Sequence, residues 1–518
     1  MASEFTRRNF IKASGTAAGL AMAAGVNPRS FAQNSKIRLG IIGTGKQGQI
    51  AHIGEGLTVN KDQIQIVSIC DVWGYNRDIA TKLIADRNLT DGKKLGVYVD
   101  YKEMLDEEEL DAVLIATPLY THYQIAMDSL DAGLYVFCEK TMTMTIEESR
   151  NLVKKCNETG KFLQIGHQRH YNPYYNKAYW LANDKNMLGR ITHITAQWHR
   201  NESWRRAVPK GYVMTDEDKK YIGPTEKDLD KHINWRLYND MSAGLMTELG
   251  THQLDVASWF LGSIPTKVSG FGGLEYWRDD RDAEDHTTLI YEWNVKPGDK
   301  GYRNIERRHG AQKKTRINRA YKVRMTYSSI CTNAQSHYGE LIQGERGAFE
   351  ILGEQKLYFY PEPSYQLALQ QKAARAAGKK VAATTSKSYI PGAAGAEGIP
   401  IEVYTDANKS IEYNVWMANH NQWAGFVDNI KNGGTPKANQ VTGLISAICG
   451  HKGNEAIRNG GTIEIDPALM AFDFETPDPH RFDEVAGPEI AESIALLKQK
   501  KLDAARKLIE ETEKADKA

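Results

Sequence analysis

Residues 36–53, KIRLGIIGTGKQGQIAHI, place three glycines at spacings of two and three directly behind an apolar run. Ile37 to Ile42 predict a short buried strand, and the glycines predict the mouth of a helix. Gly43 permits the tight turn, Gly45 lets a pyrophosphate approach the main chain, and Gly48 lets helix and strand pack closely. Unpaired N–H groups of the first helical turn then face the phosphates. A second strand is expected in QIQIVSICD, residues 63–71, ending at Asp71. An acid there suits the adenosine ribose hydroxyls and repels a 2′-phosphate, so NAD(H) is expected over NADP(H).

The pattern repeats. LDAVLIATP (110–118), LYVFCEK (134–140) and KFLQIGHQ (161–168) read as further buried strands. THYQIAMDSLDAG (121–133) and IEESRNLVKKCNETG (146–160) read as helices ended by glycine. Strands alternating with helices imply a parallel sheet with right-handed crossovers.

Arg7 and Arg8 stand before Phe10, residues 13–26 carry no charge, and Ser30-Phe31-Ala32 offers a cleavage site. This pattern looks like a twin-arginine export signal over residues 1–33, which hands over folded protein to the periplasm. A protein needing NAD outside the cytoplasm must load it and fold first, so signal and glycine loop express one requirement. The chain is 41% hydrophobic, with 66 Lys plus Arg against 65 Asp plus Glu; a net charge of +1 gives no field to draw nucleic acid or anionic membrane. The five cysteines are scattered without metal spacing, so neither a disulfide framework nor a metal is expected.

GIIGTGKQG, ATPLYTH, CEKTMTMT and AGLMTELGTHQLDVASWF together resemble the glucose–fructose oxidoreductase/inositol dehydrogenase (Gfo/Idh/MocA) family over residues 36 to about 350. NQWAGFVDNIKNGGTPK resembles its later helix and turn. The resemblance implies an α/β fold: an N-terminal Rossmann parallel sheet plus a C-terminal α/β domain with a large, mostly antiparallel open sheet that often mediates oligomers. It also implies a nicotinamide cofactor and sugar-like substrates. The expected segments are a signal at 1–33, a Rossmann domain at 36–166 and a substrate and oligomerisation domain at 167–485. An insertion falls near 354–412, and a helical tail occupies 487–518. Where the family often has Glu-Lys-Pro this chain has Glu139-Lys140-Thr141, and where it has Asp four residues before His this chain has Glu248.

Lys140 falls just past a strand's C-terminal end, where the crevice of such sheets opens, and can hydrogen-bond the reacting oxygen. Glu248 and His252 are four apart in a helical stretch, so they should share a face. His252 is then the expected proton acceptor and donor, with Glu248 orienting it or binding a substrate hydroxyl. Cofactor contacts are expected from Gly43, Thr44, Gly45, Lys46, Gln47, Gly48 and Asp71. By resemblance, Thr117, Pro118, His122 and Glu139 join them near the nicotinamide or its ribose. Aromatic rings stack on sugar faces while Arg, His and Asn read hydroxyls. On that ground Arg169, His170, Tyr171, Trp204, Trp235, Arg236 and Tyr238 are candidate substrate residues, with His199 and Arg205 nearby.

The basic run 303–324 reads as a solvated insertion or oligomer contact, and 368–398 as an inserted surface arm. The expectation is a periplasmic NAD(H)-dependent oxidoreductase acting on a hydroxyl of a sugar, polyol or glycoside. It would hold its cofactor tightly and form a homo-oligomer, with no nucleic acid and no membrane once the signal is removed. Two alternatives stand beside it: an NAD-dependent glycoside hydrolase using transient C3 oxidation and elimination, and a non-catalytic sugar-binding protein with structural NAD.

Overall fold

The computed structural model describes residues 35–309, 313–362, 365, 399–401 and 417–471. The signal at 1–33, the arm at 368–398 and the tail at 487–518 lie outside them.

The first sheet contains β1 (Ile37–Ile42), β2 (Ile64–Cys70), β3 (Gly96–Tyr98), β4 (Ala112–Ile115), β5 (Tyr135–Cys138) and β6 (Leu163–Ile165). Every pairing is parallel, in the order β3-β2-β1-β4-β5-β6. This is the doubly wound arrangement, whose strand order reverses between β1 and β4 and opens a ligand crevice there. Both faces are covered, which is why the strands read as continuous apolar runs. Ile42, Val113 and Val136 pack into one core, while Ile41, Ile69, Leu114 and Phe137 pack into another with Ile53, Ile84 and Phe426. Each such side chain contributes about 1.5–3 kcal/mol on full burial.

The second sheet is built from β7 (Ile191–His199), β8 (Pro265–Gly273), β9 (His286–Val295), β12 (Tyr321–Ile330), β13 (Tyr338–Gly344), β14 (Gly347–Leu352), β15 (Lys356–Pro361), β16 (Ile399–Pro400) and β17 (Thr462–Glu464). β10 (Ile305–His309) and β11 (Lys313–Ile317) form a separate antiparallel ribbon within the basic run. All pairings of the nine-stranded sheet are antiparallel except β7 with β12. In β12 the alternation is clean: Tyr321, Val323, Met325 and Tyr327 are buried, while Lys322 and Arg324 are exposed. One face therefore joins the core and the other is left open.

The chain then returns to the first sheet. The Met417–Asn432 helix lays Trp423 and Phe426 on Phe137, with the Trp423 ring stacked 4.7 Å from it. The Gln440–Asn459 helix packs against both the Thr251–Leu261 helix and the Ile146–Thr159 helix. Residues far along the chain thus clamp the Rossmann sheet to the helix carrying His252.

Candidate functional site

A cleft of about 980 Å³ opens at the C-terminal ends of β1, β2 and β4, between Gly45, Gln47, Asp71 and Thr117 on one wall and Trp235 and Arg236 on the other. The glycine loop fits a dinucleotide. Gly43 has φ +93°, and a Cβ there would lie 2.5 Å from the Ala116 carbonyl carbon. A Cβ on Gly48 would meet the Gly43 oxygen at 2.6 Å, whereas one on Gly45 would meet only Asn76 Nδ2, at 3.8 Å. The space over Gly45 is therefore open, as a pyrophosphate requires. Gly43, Gly45, Lys46, Gln47, Thr117 and Pro118 border the cleft, while Thr44 is buried and holds the loop from below.

Asp71 organises that loop. Its Oδ2 accepts from the Thr44 N–H at 2.8 Å, from Thr44 Oγ1 at 3.2 Å and from Asn76 Nδ2 at 3.3 Å, and Oδ1 accepts from the Trp73 N–H at 2.9 Å. A carboxylate offers about four lone-pair sites, so Oδ1 keeps room for one ribose hydroxyl. The neighbouring Arg77 is engaged by the Asp71 carbonyl and by Glu217.

Lys140 joins the two sheets' chemistry. Its Nζ donates to the Glu248 carbonyl at 2.6 Å, and Thr141 Oγ1 beside it donates to the Thr247 carbonyl at 2.5 Å. Burial lowers the Lys140 pKa; Glu248 opposes this, while Arg236 and Arg200 add to it. An ammonium tuned downward is better able to share a proton near neutrality. His122 sets the same corner, its two ring nitrogens lying 3.0 and 2.9 Å from the Thr141 and Thr117 carbonyls.

His252 and Glu248 come to this corner too, but not as a hydrogen-bonded pair. Glu248 Oε2 accepts from Arg236 Nε at 3.0 Å, while Glu248 Oε1 and His252 Nδ1 are buried without a hydrogen-bond partner among the described residues. The reason is local. Residues Met246–Gly250 form a wide π-type turn, so positions four apart no longer stack as on an α-helix. His252 instead lies 5.3 Å from the Trp198 ring and 6.2 Å from that of His167. Burial, with Lys140, Arg169 and His167 nearby, holds its pKa well below the usual value. The imidazole is therefore neutral, and the same burial and cations weaken its basicity.

His167, which is buried, and His451, which is half-buried, are also pushed down to about 4, in each case chiefly by desolvation. The unfolded chain takes up protons below about pH 6.5 while these folded sites do not. Stability is therefore complete above that pH and lost as pH falls toward 4. At pH 4.5 each of the two is expected to cost roughly 2–3 kcal/mol. Denaturant unfolding at pH 7 and pH 4.5 checks this; equal stability at the two would refute it.

Four expected substrate residues are placed elsewhere. Arg169 is buried and paired with Glu340 and Glu354. His170 bonds Asp255 at 2.9 Å and stacks on Trp259. Tyr171 donates to Gln164 at 2.9 Å, and Tyr238 to Asp280 at 2.9 Å. Their polar groups are spent on internal partners, and none of the four borders the cleft. Trp235 and Arg236 do line the cleft, with the guanidinium 4.2 Å from the indole, and Trp204 sits between the guanidinium groups of Arg200 and Arg236.

Glu139 has a fuller setting than the sequence suggested. His52 Nε2 lies 2.9 Å from its Oε1, Gln47 Nε2 donates at 3.0 Å, and Trp423 Nε1 donates to His52 Nδ1 at 3.1 Å. Because an indole only donates, His52 carries its proton on Nε2, toward Glu139. Burial alone would raise the Glu139 pKa, yet the bonds from His52 and Gln47 prevail and hold it near 2. The sequence also gave no notice of His232, whose pKa burial lowers against the opposing charge of Asp71. Among the described residues no group of three His, Cys, Asp or Glu is placed to hold a metal, and no helix is long and apolar enough to cross a membrane.

Sheet order and glycine cradle define a dinucleotide-binding α/β fold with a second, open-faced sheet. Residues 37–167 match the oxidoreductase family model with an NAD-binding Rossmann fold, and residues 182–296 match the GFO/IDH/MocA C-terminal domain, so both stretches carry that family's pattern. It is 28% identical over 175 residues to scyllo-inositol 2-dehydrogenase (NAD(+)) of Bacillus subtilis, covering 34% of this chain and 42% of that one. It is 37% identical over 182 residues to an alpha-N-acetylgalactosaminidase of Tannerella forsythia, covering 31% and 38%. The chain thus spans about two-fifths of the length of these relatives. The fold is shared with levoglucosan dehydrogenase in complex with NADH and levoglucosan (TM-score 0.57, 13% identity, 83% of this chain and 100% of that one). It is shared also with the WlbA dehydrogenase of Bordetella pertussis in complex with NADH and UDP-GlcNAcA (TM-score 0.55, 17% identity, 84% and 99%).

Proposed function

We propose that the protein is an exported, NAD(H)-dependent oxidoreductase acting on a hydroxyl-bearing carbon of a sugar, polyol or glycoside. The observation that carries this is Lys140, held by the carbonyl of Glu248 and acting on His252, with the Glu248 carboxylate paired to Arg236 on the cleft wall. NAD(H), when bound, supplies the hydride acceptor or donor. Lys140 orients and polarises the substrate oxygen, and neutral His252 receives the hydroxyl proton on oxidation and returns it on reduction. Glu248, fixed by Arg236, presents its free oxygen to a second hydroxyl. The test is a spectroscopic scan of the purified protein for sugars that change its nicotinamide absorbance. Failure of every sugar and polyol at every pH would leave a binding protein with structural NAD.

A second reading is a glycoside hydrolase that oxidises its substrate only transiently, favoured by the relative from Tannerella forsythia and by glycosyl hydrolase family 109 proteins at 30–35% identity. Release of an aryl group from an aryl glycoside without net NADH would select it.

Asp71 is expected to set the preference for NAD(H). Asp71→Ser should reduce the NAD-over-NADP affinity ratio by about tenfold, equivalent to about 1.4 kcal/mol. Titration of both cofactors checks it, and tighter binding of NADP by the unmodified protein would refute it. A homo-oligomer is expected through the open sheet face, where Phe271 and Ile290 are exposed by 82% and 50%. Light scattering should return at least twice the mass of one chain; a single-chain mass at micromolar concentration would refute it.

A further inference from the structure

Four cations gather between Lys140 and the cleft wall. Arg200 and Arg236 both act electrostatically on Lys140, and Arg236 acts on Arg206. Beside them stand the Glu248 carboxylate, which pairs with Arg236, and Glu202, which is exposed and acts on Arg206; Asp228 and Asp240 also border the cleft, bonded to Thr225 and paired with Lys231 respectively. Glu139 is engaged by His52 and Gln47.

Arg200 is the telling residue. Its Nε and one Nη are withdrawn from solvent and have no hydrogen-bond partner among the described residues, although its guanidinium is pinned 3.5 Å over the Trp204 ring. A guanidinium held in one place by an indole, its donors unused, is arranged to receive something. Leaving such donors unpaired is costly, and the group that best repays it is an oxyanion, which takes a guanidinium's parallel N–H bonds. Arg206 reinforces the point: it lines the cleft, and burial and the charge of Arg236 lower its pKa. Pyrophosphate does not account for Arg200, which does not border the cofactor cleft. The glycine loop offers the phosphates their own cradle, whereas Arg200 neighbours Lys140, where a substrate oxygen would sit.

We infer that the substrate is an anionic sugar whose oxyanion, a carboxylate or a phosphate or sulfate ester, is received by Arg200 with Arg206 while Lys140 and His252 address a hydroxyl on the same ring. This rests on the reading of the Lys140 corner as a sugar site and narrows its substrate class. Trp204 orients Arg200, and Trp235 does the same for Arg236 at 4.2 Å.

The test uses the protein as purified with its cofactor. Affinities are measured by calorimetry for matched pairs: hexuronates against their methyl esters, and hexose 6-phosphates and 6-sulfates against the parent hexoses. Nicotinamide absorbance is followed in parallel. The best acid is expected to bind at least about tenfold more tightly than its neutral partner. That advantage should shrink as salt is raised and fall to about onefold in Arg200→Gln. Which anion shows the largest ratio separates carboxylate from ester. Arg206→Gln, on the cleft wall, should lower the ratio as well and serves if Arg200→Gln fails to fold. Neutral sugars binding as tightly as their acids would overturn the inference, and cofactor reduction by those neutral sugars would leave the oxidoreductase reading standing. Acids that bind selectively while no sugar changes the absorbance would uphold the anion site and refute the oxidoreductase. Absence of binding by any member of either series would refute both.

Discussion

Lys140→Ala and His252→Ala are each expected to lower turnover by about two to four orders of magnitude, the usual weight of a positioned acid–base group. Both variants should retain the cofactor, because the cradle is formed by Gly43, Gly45 and Gly48, on other elements. The double variant should lose less than the product of the two single losses if both residues serve one proton path. Glu248→Gln should cost less than either, since the amide keeps the shape and loses only the charge that Arg236 pairs with. Steady-state rates with the best sugar, set beside cofactor occupancy by absorbance, decide the matter. Near-normal turnover by either single alanine variant would refute the assigned roles.

What could be read in advance depended on how far apart in the chain the cause lay. The glycine loop, the strands and Asp71 were legible because each is a local pattern: an apolar run, a turn residue, an acid at a strand end. Two shorter elements, Gly96–Tyr98 and Tyr101–Glu107, were not, because neither carries a continuous apolar run. The wide turn at Met246–Gly250 was hidden for another reason. Hydrogen-bond register within a helix leaves no mark on the hydrophobic pattern, so Glu248 and His252 looked like a stacked pair. Arg169 looked like a hydroxyl reader because charge beside aromatics suggests a sugar site. Its partners Glu340 and Glu354 lie 171 and 185 residues downstream, and nothing near Arg169 announces them. His52 was silent in the same way, standing 87 residues from Glu139 and 371 from Trp423. The site is therefore local in its glycines and its lysine, and long-range in everything that holds them.

That contrast is sharpest within the glycine loop itself, where Gly45→Val is expected to abolish cofactor binding and leave the fold intact. A Cβ at Gly45 has Asn76 Nδ2 at 3.8 Å as its only near neighbour, an ordinary contact, so the protein has no objection to it. The added side chain would instead stand in the space through which a pyrophosphate reaches the backbone, and an affinity loss of at least about 100-fold, or about 2.7 kcal/mol, is expected. Gly43→Val should behave in the opposite way. Its φ of +93° is costly for a β-branched residue, and its Cβ would press on Ala116 and Thr117 backbone atoms at 2.5 and 2.6 Å, with no flexible side chain to yield. Backbone strain of that kind costs about 1–3 kcal/mol before the clash is counted, so Gly43→Val should lower the melting temperature and the folded yield. Circular dichroism melts, together with the cofactor content of each purified variant, separate the two effects. A Gly45→Val protein that purifies with its full complement of cofactor would show that the phosphates lie elsewhere, and the assignment of the cleft would fall with it.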